Sequence, residues 1–290
     1  METALEVKNL NISYKKKPVI LDINFMLFKN QCFALLGESG SGKTLTALSL
    51  FDALPEGFKI ESGEIIPEKK DKRAYLFQDP YSALNPVFKL KTQFKSVLKS
   101  KGTFEENEII NLLKSLGFQE PEKKIDYYPH ELSGGMQQRI ALGLCLSKKP
   151  EVLVADEPTT ALDLTVQAKI LALLEKLKKE TLSILMITHD MGVVAQIAEW
   201  VGVMYLGRLL EVSPVKDFFE EPLHPYSKAL MEAREFKVKK IKEERVLSFF
   251  EKPSGCPFHP KCEYKREKCE KHFPPLFEEN QRKVFCYLYL

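Results

Sequence analysis

The sequence has little of what would define a membrane-spanning, secreted or nucleic-acid-binding protein. Its 290 residues contain no window of about 20 uncharged apolar residues, which argues against a membrane-spanning helix. The first residues lack the basic-then-apolar order of a secretory signal, so we expect a cytoplasmic protein whose thiols stay reduced. The net charge of +3 is too small to argue for a nucleic-acid partner. With 44% hydrophobic and 29% charged residues, the composition is that of an ordinary globular protein.

Cysteine is scarce and unevenly placed along the chain. Of six cysteines, Cys32 falls in a predicted strand and Cys145 in a predicted helix, where we interpret both as buried small hydrophobic residues. The other four lie within the last 35 residues: Cys256, Cys262, Cys269 and Cys286. This crowding suggests a disulfide scaffold, a structural zinc site or an iron–sulfur cluster.

The spacing of these four cysteines does not distinguish a zinc site from an iron–sulfur cluster. Five, six and sixteen residues separate successive members, so there is no C-x-x-C pair, and neither the usual zinc ribbon nor the ferredoxin run is matched. Thiolates suit zinc and iron–sulfur alike, and His259 and His272 are close enough in sequence to complete a mixed zinc site. A reducing compartment disfavours disulfides. The residues alone leave zinc, a cluster, and unligated or disulfide-bonded thiols open.

The apolar pattern predicts an α/β protein. Residues 5–14 alternate as a half-buried strand does, and a second strand-like run, VILDINFML, follows a basic turn. The segments EVLVAD, DLTVQAKILALLEKLKKE and SILMIT give strand, helix and strand, which favours a parallel sheet. Residues 90–116 indicate two helices with a break at Gly102, and residues 135–148 indicate another. Residues 234–245 are charged without a strong apolar face, so we interpret them as a linker or a solvated helix.

A glycine-rich motif, GESGSGKT, fits the pattern G-x-x-x-x-G-K-[ST] between a buried strand and a helix. Its glycines let the backbone curl so that successive N–H groups face phosphate oxygens, and the helix N-terminus adds its positive end. A flexible glycine turn is the ordinary alternative, which the complete motif and its context disfavour. We therefore predict that a nucleoside triphosphate is bound by Gly37, Glu38, Ser39, Gly40, Ser41, Gly42, Lys43 and Thr44.

Two residues of this motif and one carboxylate beyond it have an expected chemical role. Lys43 supplies a charge to the β- and γ-phosphates, and the Thr44 hydroxyl is expected to ligate Mg²⁺. The predicted strand VLVAD ends in Asp156, whose carboxylate would lie beside the phosphate loop and hold the Mg²⁺ shell.

Two further segments identify a family. LSGGMQQR, at 132–139, is followed by VLVADEPTTALD, at 152–163, and this pairing resembles the ATP-binding cassette family over roughly residues 5–233. The resemblance implies a phosphate-loop core with a mostly parallel sheet, an N-terminal antiparallel β subdomain and a helical subdomain at about 85–145. Residues 234–290 would form a linker and a small cysteine-rich appendage beyond the cassette.

The resemblance also implies roles for single residues. Glu157 would orient the attacking water, Gln78 would sense Mg²⁺ and water, and His189 would contact the γ-phosphate. Tyr14 falls where the family stacks an aromatic ring on adenine. Each has an ordinary structural alternative: a strand-end carboxylate, a buried amide, a satisfied histidine and a core tyrosine.

A second cassette is implied by the same segments. In this family two chains associate head to tail around two ATP molecules. The segment LSGGMQQR, called the signature segment, of one chain then contacts the γ-phosphate of the ATP bound to the other chain. An ordinary helix N-cap is the alternative for this segment. The partner would be a copy of this chain or a paralogue, and the residues concerned are Ser133, Gly134, Gly135, Gln137 and Asp163.

Three other stretches of the sequence indicate which process the cassette drives. FQDPYSALNP, the stretch from His189 to Glu211, and PLHPYSKAL resemble the ATPases of dipeptide, oligopeptide and nickel importers. This implies a peripheral subunit on the cytoplasmic face, a separate permease, a substrate-binding protein outside the cell and no nucleic acid. Residues proposed to contact the permease are Pro80, Tyr81, Leu84 and Phe88. The alternative is a soluble non-transport cassette whose metal tail senses redox state or a partner.

In the same importer subfamily the four tail cysteines resemble ligands of a [4Fe–4S] cluster, with zinc as the alternative metal. A tail of about 40 residues buries little surface, so a metal centre would stabilise it. We expect a structural role for this centre.

Overall fold

The structure is a computed structural model, which describes residues 1–68, 70–79, 83–99, 105–159, 162–234 and 254–290. Gly102, Pro80, Tyr81 and most of the predicted linker lie outside these residues. The chain packs as two compact units. The first comprises Met1–Ala4, Phe28–Cys32 and Lys69–Met186, and the second comprises Leu5–Leu27, Phe33–Glu68 and Ile187–Leu290.

The second unit contains an antiparallel sheet built from the N-terminal residues. Its strands are β1 (Thr3–Tyr14), β2 (Lys17–Phe28) and β4 (Phe58–Ile66), in the order β2-β1-β4. Leu5 and Val7 of β1 are buried while the residues beside them are half-buried, which is the period-two pattern of a strand with one covered face. The strand predicted at residues 5–14 is confirmed.

A second sheet in this unit carries both the nucleotide motif and the tail. Its strands are β3 (Cys32–Leu36), β8 (Trp200–Tyr205), β9 (Arg208–Pro214), β11 (Arg282–Val284) and β10 (Phe277–Glu279), adjacent in that order. β3 and β8 are parallel, and the remaining pairs are antiparallel. The cysteine-rich tail therefore extends this sheet through β11 instead of forming a separate appendage, because Val284 and Cys286 pack against Leu223.

Short helices complete the second unit. They are α1 (Lys43–Ser49), which follows β3, then α7 (Met191–Ile197), α8 (Val215–Glu220), α9 (Pro225–Arg234) and α10 (Glu267–Lys271). Single 3₁₀ turns lie at His259–Lys261 and Tyr287–Tyr289.

The first unit joins a parallel sheet to a group of helices. β5 (Arg73–Leu76) pairs in parallel with β6 (Val152–Asp156), and the order in this unit is β7-β6-β5, where β7 is Ser183–Thr188. The helices are α2 (Leu90–Lys99), α3 (Glu106–Ser115), α4 (Pro121–Lys124), α5 (Gly134–Ser147) and α6 (Leu164–Glu180). The two helices predicted over residues 90–116 are confirmed as α2 and α3.

Helix α5 is the centre of the helical part. Both α2 and α3 pack against it. A Cβ on Gly143 would lie 3.0 Å from Leu116 Cδ1 and 3.3 Å from Phe94 Cζ, so glycine permits the close approach of these neighbours.

Within the residues that the structure describes, no helix combines the length and apolar character needed to cross a membrane.

Candidate functional site

The glycine-rich motif forms a curled loop between β3, whose five residues are all buried, and α1. Gly42 has φ 106°, in the left-handed region, and a Cβ there would lie 2.4 Å from Ile20 Cδ1. A Cβ on Gly37 would lie 2.2 Å from the carbonyl oxygen of Met204. Backbone conformation and close packing therefore both require glycine in this loop.

Lys43 is buried inside the curl of the loop. Its Nζ donates to the carbonyl oxygens of Gly37, at 2.7 Å, and Glu38, at 2.9 Å, and to Ser41 Oγ, at 3.3 Å. The far side of the loop is held by Gly207, whose N–H donates to the Ser41 carbonyl at 2.8 Å. The loop therefore carries a fixed positive charge at its centre, which suits an anionic ligand.

The outer residues of the loop face solvent. Glu38, Ser39, Gly40 and Thr44 are exposed, whereas Ser41 is buried. Apart from its chain neighbours, no atom of the described residues lies within 4 Å of a Cβ placed at Gly40, so this part of the loop is open to approach.

Two other predicted residues lie in the same unit. Tyr14 ends β1 and is half-buried, with its ring centroid 4.8 Å from that of Phe58 and Lys15 Nζ 5.3 Å above the ring. His189 follows β7 and is exposed, directly before Asp190, whose Oδ1 accepts the Gly192 N–H at 2.7 Å and caps α7.

The first unit brings four residues together where β5 and β6 end. Asp156 is buried, and its Oδ2 accepts a hydrogen bond from Tyr75 Oη at 2.9 Å. Gln78 Nε2 donates to Glu157 Oε2 at 3.3 Å. The register places Leu76 opposite Ala155, so residues that follow in the two strands meet at the same edge. Sequence reasoning selected the other three and missed the fourth, Tyr75.

Tyr75 is coupled to the Asp156 carboxylate by electrostatics as well as by the hydrogen bond. Burial raises the pKa of Tyr75, and the nearby Asp156 carboxylate raises it further. The hydroxyl therefore stays protonated and acts as a donor to Asp156. Glu157 has φ 47°, an uncommon conformation for a residue with a side chain, which turns the chain sharply at the end of β6.

The predicted signature segment opens helix α5. Ser133 is its N-cap residue, without a side-chain capping bond, and Ser133 and Gly134 are exposed. Gln137 is buried, and its Nε2 donates to the carbonyl oxygens of Pro129, at 2.9 Å, and Leu132, at 3.1 Å. This residue faces inward and fixes the chain before the helix, and its contact with a nucleotide held by a second chain stays a prediction.

The structure also describes Asp163, predicted at the interface with a second cassette, and two of the residues predicted to contact a permease. Asp163 is the N-cap of α6, where its Oδ1 accepts the Val166 N–H at 2.9 Å. Leu84, expected to face a permease, is buried, whereas Phe88 is 50% exposed. Val87 and Phe77 are also exposed apolar residues of this stretch, and both were missed because a single exposed side chain leaves no sequence pattern.

All four tail cysteines line one cavity in the second unit, together with His224, His259, Tyr264 and Arg266. All six cysteines of the chain lie in described residues, and all are free thiols. Burial raises the pKa of Cys256 to about 12 and also raises the pKa of Cys262 and Cys286. Soft thiol donors in a desolvated pocket suit zinc or iron–sulfur chemistry. Across the described ranges, however, no three Cys, His, Asp or Glu side chains are grouped closely enough to hold a metal ion.

The glycine-rich loop entering α1 and the serine–glycine opening of α5 together define an ATP-binding cassette. Residues 20–160 match the ABC transporter family, and residues 210–269 match the oligopeptide/dipeptide transporter C-terminal region. The chain belongs to the ABC transporter family, in the group of its peptide-transport ATP-binding proteins.

Known relatives cover the whole chain. It is 37% identical to the dipeptide transport ATP-binding protein DppD of Haemophilus influenzae, over 98% of the chain and 94% of the relative. It is 38% identical to the oligopeptide transport ATP-binding protein AppD of Bacillus subtilis, over 100% and 98%. Among solved structures, the dimeric post-hydrolysis state of the ATP-binding cassette MJ0796, bound to ADP and Pi, is similar with a TM-score of 0.63. It is 25% identical, over 73% of this chain and 98% of that one.

Proposed function

We propose that the chain is the ATP-hydrolysing subunit of an importer of dipeptides or oligopeptides, acting on a separate permease at the cytoplasmic face of the membrane. Its similarity to peptide-transport ATP-binding proteins carries this proposal, because the similarity spans the full chain and includes the C-terminal region. In functional terms we divide the chain into a cassette, residues 1–233, and a linker with the cysteine-rich tail, residues 234–290. The names of these relatives favour peptides over nickel.

Nucleotide binding is assigned to the loop of residues 37–44, with Tyr14 against adenine. The buried Lys43 supports this assignment, because bound phosphate oxygens would replace the carbonyl oxygens that it now contacts. Mg²⁺ supplies charge neutralisation on the phosphate oxygens when it is bound. Thr44, Gln78 and Asp156 are the residues that we assign to it.

Hydrolysis requires a positioned acceptor for the attacking water. We assign this role to Glu157, with Gln78 beside it and His189 toward the γ-phosphate. The hydrogen bond from Gln78 Nε2 to Glu157 Oε2 supports the assignment, since it orients the carboxylate that would position the water.

Substitution of Tyr75 by phenylalanine tests the support given to Asp156. Without the hydroxyl that donates to Oδ2, we expect ATP turnover to fall about 3- to 10-fold and to require more Mg²⁺. The measurement is turnover by the assembled transporter as a function of Mg²⁺ concentration. Tyr127→Phe, in the same unit, is the matched control and should behave as wild type. An unchanged Mg²⁺ profile in Tyr75→Phe would refute this role.

A second cassette completes each nucleotide site in this proposal. The exposed Ser133 and Gly134 at the start of α5 are available to a nucleotide held by another chain, and Asp163 would lie at the same interface. The dimeric MJ0796 cassette, which is similar in fold, supports such a pair. Gln137 keeps a positioning role, since it anchors the residues just before the signature segment.

The permease contact is assigned to the stretch after Gln78. Val87 and Phe88 are exposed apolar residues of this stretch that support it, and Phe77, directly before Gln78, is exposed as well. Isolation of the tagged chain from solubilised membranes separates the importer from the alternative, a non-transport cassette with a sensing tail. A multi-span permease and a second cassette should co-purify, and a substrate-binding protein should join when peptide is added. Recovery of the chain without any membrane protein would contradict the importer.

We assign a [4Fe–4S] cluster to the four tail thiols, with zinc as the alternative centre. The shared cavity lined by Cys256, Cys262, Cys269 and Cys286 supports this assignment, and a structural role follows from the small size of the tail. The anaerobically purified chain should contain iron and acid-labile sulfide, which Cys256→Ser removes. Cys145→Ser, which lies outside the cavity, is the control and should retain both. Stoichiometric zinc without iron would contradict the cluster.

A further inference from the structure

The segment of residues 223–226 (Leu223, His224, Pro225 and Tyr226) begins helix α9 and is fixed by a buried carboxylate. Glu211 of β9 accepts the Leu223 N–H on both of its oxygens, at 3.0 and 3.1 Å, and the His224 N–H on Oε2 at 2.8 Å. Ser213 Oγ donates to Oε1 at 3.1 Å. Glu211 is 1% exposed, so these bonds form away from water and hold the segment firmly.

The cysteine-rich tail contacts the same segment and the residues just before it. Tyr289 Oη donates to the Leu223 carbonyl at 2.9 Å, and Arg282 donates to the Glu221 carbonyl. β11 places Val284 opposite Glu211 in the sheet. Tail and segment are therefore joined both by the sheet and by side-chain hydrogen bonds.

His224 connects the segment to the thiols. Its Nδ1 accepts the Tyr226 N–H at 3.0 Å, so in the neutral ring the proton is on Nε2. That atom lies 3.9 Å from Cys256 Sγ, and the N–H is therefore the donor to sulfur. The ring is buried and lines the cysteine cavity.

Tyr226 connects the segment to the phosphate loop. Its hydroxyl oxygen accepts the Glu38 N–H at 3.2 Å, which fixes the first turn of the loop. Its ring packs against Phe258, which lies between two of the tail cysteines, at 5.3 Å, and against Tyr205 at 4.6 Å. A continuous path of contacts therefore leads from Cys256 through His224 and Tyr226 to the backbone of the nucleotide loop.

We propose that Tyr226 is a positioning residue of the phosphate loop and that, through His224, it makes nucleotide affinity depend on the state of the four-thiol cavity. This inference rests on the proposed binding of ATP at residues 37–44. With the tail intact, the segment holds the Glu38 amide and the loop keeps its curled form. Disturbance of the thiols moves His224, and the loop loses a fixed anchor.

The first test removes only the hydroxyl. Tyr226→Phe keeps the ring contacts and should raise the dissociation constant of Mg–ATP about 3- to 10-fold, as expected for one lost hydrogen bond. In the assembled transporter, KM for ATP should rise while kcat at saturation stays near wild type, because the lost contact acts on binding and not on hydrolysis. Tyr205→Phe is the matched control. Its ring lies in the same buried cluster, and in the described part of the chain no hydrogen bond joins its hydroxyl to the loop.

The second test measures the coupling to the tail. Cys256→Ala, which removes the sulfur facing His224, should weaken Mg–ATP binding in the wild-type background and add nothing in the Tyr226→Phe background. Cys262 lines the same cavity, so Cys262→Ala should give the same pattern. If the two variants disagree, a folding defect in one of them is indicated. Melting temperatures without nucleotide are compared for all variants.

The outcomes separate this inference from the proposed function. If the wild-type chain binds no Mg–ATP, the proposed function itself fails. If it binds and Tyr226→Phe equals Tyr205→Phe, the positioning role is overturned. If the cysteine and tyrosine effects add independently, the coupling through His224 is overturned. A raised dissociation constant for Tyr226→Phe with non-additive cysteine effects supports both parts.

Discussion

Glu157→Gln is expected to abolish ATP turnover while Mg–ATP stays bound. In the proposed mechanism the carboxylate orients the attacking water and accepts its proton, and an amide of the same shape cannot accept that proton. The loss of a general base in such a step costs about 100-fold or more in rate. Because Gln78 Nε2 donates to Glu157 Oε2, the substituted amide is still able to accept this hydrogen bond through its own oxygen, so the local structure should persist.

Three measurements check this expectation: phosphate release by the assembled transporter, the dissociation constant of Mg–ATP and the melting temperature. Glu180→Gln, at the exposed end of α6, removes a carboxylate from the same unit and is the matched control. Turnover near the wild-type rate in Glu157→Gln would show that another residue positions the water. Loss of both binding and turnover would show that Glu157 has a structural role.

Lys43→Ala is expected to lose nucleotide binding itself. The Nζ is buried at the centre of the loop, and no other side chain of residues 37–44 carries a positive charge for the proposed phosphates. The loss of a charge-assisted contact of roughly 3 kcal/mol corresponds to about 100-fold in the dissociation constant. At the ATP concentrations that saturate the wild-type chain, turnover should fall as a consequence of the unfilled site.

Titration of Mg–ATP by calorimetry measures this loss directly. The thermal shift that ATP gives the wild-type chain should disappear in Lys43→Ala. Lys59→Ala removes an exposed positive charge from β4 of the same unit and should bind as wild type does. Retention of wild-type affinity in Lys43→Ala would place the phosphates elsewhere.

The features that sequence predicted best are local ones. The loop around Gly42 was predictable because a left-handed φ, a close backbone approach and the adjoining strand and helix all leave marks within eight residues. The strand of residues 5–14 was predictable because one face of β1 is covered, which leaves an alternating pattern. Helices α2 and α3 were likewise predictable from their apolar periodicity.

Features that depend on pairing at long range were not predictable. The bond from Tyr75 to Asp156, 81 residues further along the chain, depends on the register of β5 and β6, which no local sequence pattern indicates. The three-residue strand β11 is too short to show alternation, so its pairing with β9 could not be anticipated. The hydrogen bonds that Gln137 donates to Pro129 and Leu132 were likewise not predictable from its motif, since they depend on how the chain folds before α5.

ATP-dependent association of cassettes tests the central claim most directly. Sedimentation of the Glu157→Gln chain is measured with Mg–ATP and with Mg–ADP, alone and with the second cassette recovered from the same membranes. With Mg–ATP the chain should sediment as a pair of cassettes, either with its own copy or with that partner, and it should separate with Mg–ADP. A chain that remains single with Mg–ATP in both mixtures would contradict the account.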